Sequence, residues 1–154
     1  MTTFLLIVHG LSAVALLGAL THQSLAVIWP GRKGGGFTQS FRAVSGPAYT
    51  NASVVLYLTT FALGAYLYPA YRVTVRTWIE RARLWEISGL FELKEQVFAV
   101  GLGLLPLYWL LWRRAEDGTL ASARAWVTGL LCLMVWYGFI AGHLINNTRG
   151  MFGT

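Results

Sequence analysis

Four stretches of the chain are apolar for long enough to cross a bilayer: Phe4 to Trp29, Ala52 to Tyr68, Leu90 to Trp112 and Ala123 to Leu144. A hydrocarbon core of about 30 Å needs about 20 such residues in helical form. Pro30 and the glycines Gly34, Gly35 and Gly36 cannot continue a helix, so the first span stops there. Thr50 or Asn51 is placed to cap the second, and Pro69 sits near its end. Tyr71, Val75, Trp78, Ala82 and Trp85 then recur at three- and four-residue spacing, with Arg72, Arg76, Glu80, Arg81 and Arg83 on the other face. That pattern predicts an amphipathic interfacial helix between spans two and three. Arg113 to Ser122, with Glu116-Asp117-Gly118, reads as a turn. The expected fold is all-α: one integral membrane domain over residues 1–154, a polytopic four-helix transmembrane bundle with both termini on one side.

Composition supports this division. Of 154 residues, 56% are hydrophobic and 12% charged, whereas soluble domains average about 45–50% and about 25%. The first span lacks a basic leader and a small-residue cleavage pattern, so it is expected to be a retained helix and not a cleaved signal peptide. Cys132 is the single cysteine, which excludes a disulfide framework, and no zinc-finger spacing exists. The net charge of +6 belongs with basic residues flanking helices at the headgroups and gives no reason to expect nucleic acid. Basic residues are almost equally divided between the two sides, so orientation stays open. Trp29, Trp78, Trp85, Trp109, Trp112 and Trp126 fall at span ends or in the interfacial segment, as an aromatic belt would. Gly31 to Gly36, with Arg32 and Lys33, lacks the Walker pattern and is expected to be a basic loop against headgroups or a partner subunit.

Ionisable groups inside a bilayer are costly and therefore candidates for function. His9 lies early in the first span and His143 late in the fourth. Those helices run in opposite directions, so both imidazoles are expected at similar depth near one membrane face. Two facing imidazoles are what a bis-histidine haem requires. Gly10 follows His9, and Gly138 and Gly142 precede His143; they either leave room for a macrocycle or serve helix packing. His22, thirteen residues after His9, differs from it by about 220° around the helix. It reads as a polar contact near the opposite interface or as an alternative metal ligand. Glu92 and Glu95 share a helix face near the start of span three, and Lys94 points elsewhere. The acids suit a helix start, and Lys94 is able to snorkel to the headgroups. Functionally, the acids could orient a ligand histidine, contact a quinone or move protons, or join the histidines in a non-haem metal site. Asn147, four residues after His143, is within reach of a propionate or a neighbouring helix, and Arg149 of an acid.

With histidines on its outer spans and glycines beside them, the chain resembles the small four-helix membrane cytochrome b proteins. The resemblance implies haem b with His9 and His143 as axial ligands to iron. It also implies electron exchange with a quinone or a partner redox protein, in a bacterial inner membrane or another energy-transducing membrane. Two-haem members use four histidines, and this chain has three. Whether the chain is itself an enzyme does not follow. Two alternatives stand beside this reading: a cofactor-free structural or assembly subunit of a membrane complex, and a metal or proton site of His9, His143, His22, Glu92 and Glu95 without haem. A bundle this small is expected to have other membrane subunits as partners as well as lipid.

Overall fold

A computed structural model describes residues 2–29, 36–37 and 46–152. The described residues are almost wholly helical. The elements are α1 (Thr2–Ile28), α2 (Gly46–Tyr71), a π-helical turn (Arg72–Arg76), the short α3 (Thr77–Arg81), α4 (Trp85–Arg113), a 3₁₀ turn (Gly118–Leu120) and α5 (Ala121–Phe152). Four helical stretches are long and apolar enough to cross a membrane. At 1.5 Å per residue, the 27 residues of α1 extend about 40 Å and the 32 of α5 about 48 Å. The helices therefore exceed the apolar runs read from the sequence and overhang a hydrocarbon layer of about 30 Å.

The long helices pack in a ring in which α1 touches α2 and α5, and α4 touches the same two. Chain neighbours are antiparallel, which makes an up-down-up-down bundle. Leu16, Leu20, Tyr57, Leu105, Tyr108, Leu131 and Val135 are fully or almost fully buried along its axis. Outside, the surface is apolar: Phe4, Ile7, Leu11, Val55, Val100, Leu133 and Ile140 are all exposed. No more than 33% of the most apolar window of any of the four helices is buried. The bundle thus presents to its surroundings the surface that lipid tails accept.

Several boundaries differ from those expected. Helix α2 begins at Gly46, so Thr50 and Asn51 are not caps. Thr50 donates its hydroxyl to the Gly46 carbonyl at 2.7 Å, and Asn51 accepts from the Trp109 indole at 3.2 Å. Pro69 lies inside α2, which runs on through the π-helical turn into α3. A proline ring removes one intrahelical bond, and a π-helical turn is one way a helix absorbs such a fault. The segment Tyr71–Trp85 is consequently divided: its first part prolongs α2 and its last residue opens α4. The break between them is a Schellman closure, with Leu84 N–H donating to the Ile79 carbonyl at 3.0 Å and Arg83 N–H to that of Glu80 at 3.0 Å. Arg83 occupies the left-handed position, φ 58°, that glycine usually takes. Trp112, near the end of α4, is buried against α5 and donates to Thr128 Oγ1 at 3.0 Å. Between α4 and α5 the expected turn is present. There Asp117 accepts from the Thr119 hydroxyl at 2.5 Å and from its N–H at 2.9 Å, which hold its carboxyl below the usual carboxylate range. The basic loop expected over Gly31–Gly36 lies, up to Gly35, outside the described residues, as does the Arg149 side chain.

Two helical glycines of α4 make the packing testable. A Cβ on Gly101 would overlap the Tyr57 hydroxyl, which donates to the Phe98 carbonyl at 2.8 Å, whereas one on Gly103 meets nothing. Gly101→Ala is expected to lower stability by about 1–3 kcal/mol, and Gly103→Ala to leave it equal or higher. Arg83→Gly should raise it by up to about 1 kcal/mol by relieving the left-handed backbone. Thermal unfolding midpoints in detergent, compared across the three variants, check all of these.

Candidate functional site

The two ends of the bundle treat polar groups in opposite ways. Toward the end of α1 that carries Gln23, they are paired. Tyr108 donates its hydroxyl to Gln23 Oε1, and Gln23 Nε2 donates to Thr50 Oγ1 at 3.0 Å. Ser24 donates to the Thr128 carbonyl at 3.4 Å, and Trp136 Nε1 to Thr21 Oγ1 at 3.0 Å. His22 belongs to this end, its Nδ1 lying 2.9 Å from the Tyr49 hydroxyl with the two rings edge to face.

Toward the termini the helices instead enclose a cavity of about 800 Å³. Its wall includes His9 and Gly10 from α1, Thr60, Gly64 and Tyr71 from α2, Lys94, Glu95 and Phe98 from α4, and Gly138, Gly142 and His143 from α5. Ligand cavities run from about 300 to about 1,000 Å³ and are mostly apolar with a few convergent polar groups. Three buried polar atoms without a well-formed hydrogen bond line this one: His9 Nδ1, Thr60 Oγ1 and Tyr71 Oη.

Glycines let the wall come close. A Cβ on Gly64 would stand 3.3 Å from His9 Cε1 and 4.0 Å from its Nδ1, so this edge of the imidazole lies against α2. The Thr60 backbone carbonyl belongs to the same surroundings. Among the described residues His9 Nε2 makes no hydrogen bond, and it is the ring nitrogen not held against Gly64. His143 is more exposed, and its Nε2 lies 3.0 Å from the Asn147 amide nitrogen, so the amide donates and the ring nitrogen accepts. Asn147 therefore bonds the histidine itself, where a propionate or a neighbouring helix was expected. A Cβ on Gly138 would enter the Phe98 ring, and one on Gly142 would stand 3.6 Å from Lys94 Nζ. Gly138 is thus needed for packing against α4, while Gly142 borders the open space.

The charged run divides. Because α4 starts at Trp85, Glu92 and Glu95 stand beyond its first turn, where the helix dipole no longer favours them, and the acid in the first turn is Glu86. Glu92 accepts from Arg76 at 2.8 Å, and Arg76 also pairs with Glu80 at 2.7 Å. This binds the extension of α2 to α4. Glu95 and Lys94 line the cavity; Glu92 does not. Lys94 runs to Gly142 of α5. Of the residues picked out from the sequence, His9, His143, Gly10, Gly142 and Glu95 come together at one cavity, and His22 and Glu92 are placed elsewhere. Among the described residues no three His, Cys, Asp or Glu side chains gather closely enough to hold a metal ion.

Thr60, Tyr71 and Lys94 went unrecognised as a group. A threonine and a tyrosine in an apolar run carry no spacing signal, and their membership follows from packing alone. Comparison with known proteins found no matching family model, no curated protein and no solved structure similar to this chain.

Paired and unpaired hydroxyls should respond differently to removal. Tyr108→Phe leaves Gln23 Oε1 without its donor and is expected to cost about 1 kcal/mol. Tyr71→Phe removes a hydroxyl that has no partner and is expected to be neutral or stabilising. Thermal midpoints of the two variants in the same detergent, without added ligand, give the comparison.

Proposed function

We propose that this chain is an integral membrane haem b protein: a subunit that exchanges electrons with a quinone or a partner redox protein. In this reading it is a multi-pass protein of a bacterial inner membrane or another energy-transducing membrane, and Arg72–Arg81 lies at the headgroup level. The observation that carries the proposal is His9, a half-buried imidazole at the wall of an aromatic- and glycine-lined cavity of about 800 Å³, with its Nδ1 edge against α2.

The residues fit the group. A ligand histidine is usually set by a donor bond from its other ring nitrogen, often to a backbone carbonyl. His9 Nδ1, buried without a well-formed bond and near the Thr60 carbonyl, is placed to take that role through a small adjustment. The proton then sits on Nδ1 and the lone pair on Nε2. His143 holds its Nε2 lone pair against the Asn147 amide, so its use as the second ligand requires that amide to rotate away. Gly10 and Gly142 keep the wall beside the two histidines free of side chains. Bound there, haem b supplies one-electron chemistry with a potential set by its axial ligands and by burial. Phe61, Phe91 and Phe98 exclude water from the cavity, and Glu95 stands at its wall as a group able to hold a proton.

The absorption spectrum is the test. Protein purified from haem-replete cells is expected to show a Soret band and, when reduced, an α-band, both lost in His9→Ala and in His143→Ala. A folded but colourless wild-type preparation overturns the reading. Metal analysis of that preparation would then separate a non-haem site from a cofactor-free structural role.

A further inference from the structure

Lys94 is a cation of the cavity wall that forms no ion pair among the described residues; the acid that acts on it is its exposed chain neighbour Glu95. Lys94 rises from α4, near the middle of the cavity wall, and its Nζ comes within 3.6 Å of where a Cβ on Gly142 of α5 would be. The same ammonium is an electrostatic neighbour of His9 on α1. It therefore reaches across the space between the two histidine-bearing helices. Among the described residues it takes part in no ion pair and no hydrogen bond, and the Phe91 ring centroid lies 5.7 Å from Nζ.

The acids nearby form no ion pair with it. Glu92 is engaged by Arg76 at 2.8 Å. Glu95 follows Lys94 at about 100° around the helix; the two act on each other electrostatically but form no ion pair, and Glu95 also has Arg76, Glu92 and Arg72 as electrostatic neighbours. What remains is a cation facing an apolar cavity, with the unpartnered hydroxyls of Thr60 and Tyr71 in the same wall. A charge in such a place is normally paired with an opposite charge or solvated by polar groups.

We propose that the occupant of the cavity is an anion whose carboxylate is bound by Lys94. This rests on the haem reading above, and for that ligand the carboxylate is a propionate, held by a charge-assisted N–H···O⁻ bond. Lys94 is then a positioning residue: it turns the macrocycle about the His9 bond and selects acids over their neutral esters.

The probes are haemin and haemin dimethyl ester, which share iron and macrocycle and differ only in whether the carboxylates are free. Each is titrated into the purified full-length protein in detergent, wild type and Lys94→Gln, and followed by its Soret shift. The deciding quantity is the diacid-to-diester affinity ratio in wild type divided by that in Lys94→Gln, which cancels any difference in partition into detergent. About tenfold or more is expected, with Lys94→Arg keeping most of the wild-type preference. A quotient near one overturns the assignment of Lys94, even if both probes bind with normal Soret shifts and the haem reading stands. Absence of a saturable shift with either probe in wild type removes the haem reading and this inference together, a distinct signature. Should Lys94→Gln fail to fold by circular dichroism, Lys94→Met replaces it, and loss of the wild-type preference in Lys94→Arg would also count against the proposal.

Discussion

The bond from the Tyr108 hydroxyl to Gln23, continued from Gln23 to Thr50, sets the terms for the rest of the bundle. Neither side chain has water to fall back on at that depth, so α1, α2 and α4 must meet at one register to satisfy them. Thr128 adds α5 to the same level by accepting from Trp112 and, through its carbonyl, from Ser24. All four long helices are thereby tied at one end. Their other ends are free to diverge, and the cavity occupies the room between them.

That division explains where polar groups remain unpaired. His9 Nδ1, Thr60 Oγ1 and Tyr71 Oη lie on the untied side, whereas Gln23, Thr50 and Thr128 are all bonded on the tied side. Ser53, buried beside the Tyr108 hydroxyl without a well-formed hydrogen bond, departs from this pattern. The tied end fixes the packing, and the open end keeps the cavity. Arg76 is the principal exception at the open end, since its pairs with Glu80 and Glu92 fasten the prolonged α2 to α4 at the rim.

The spans were legible because long apolar runs leave few other folds, and the shared depth of His9 and His143 followed from helix rise and antiparallel order. The helix ends were not legible in the same way. Pro69 read as a stop, yet a proline late in a helix loses only one bond, and the π-helical turn carries the chain past it. The boundary at Arg83 gave no signal because the position that glycine usually marks holds arginine. For that reason Glu92 and Glu95 were placed at a helix start that lies in fact at Trp85. Spacing separated Lys94 from the face shared by Glu92 and Glu95, but it could not say which neighbouring helix that lysine meets; the small volume of Gly142 decides this. His22 is separable from His9 by helical angle, while its partner Tyr49 lies in the first turn of α2, ahead of the apolar run that marks the span.

The tied end has a further meaning if electrons enter the open one. From Leu16 to Ile28, α1 continues for about 20 Å beyond the cavity, past the buried Leu20 and the hydrogen-bonded Gln23 and Ser24. No second pair of histidines stands there. Such a layer is an insulator, so a redox centre beside His9 would communicate with one membrane face and with carriers diffusing in the plane of the lipid, while the opposite face stays electrically isolated from it.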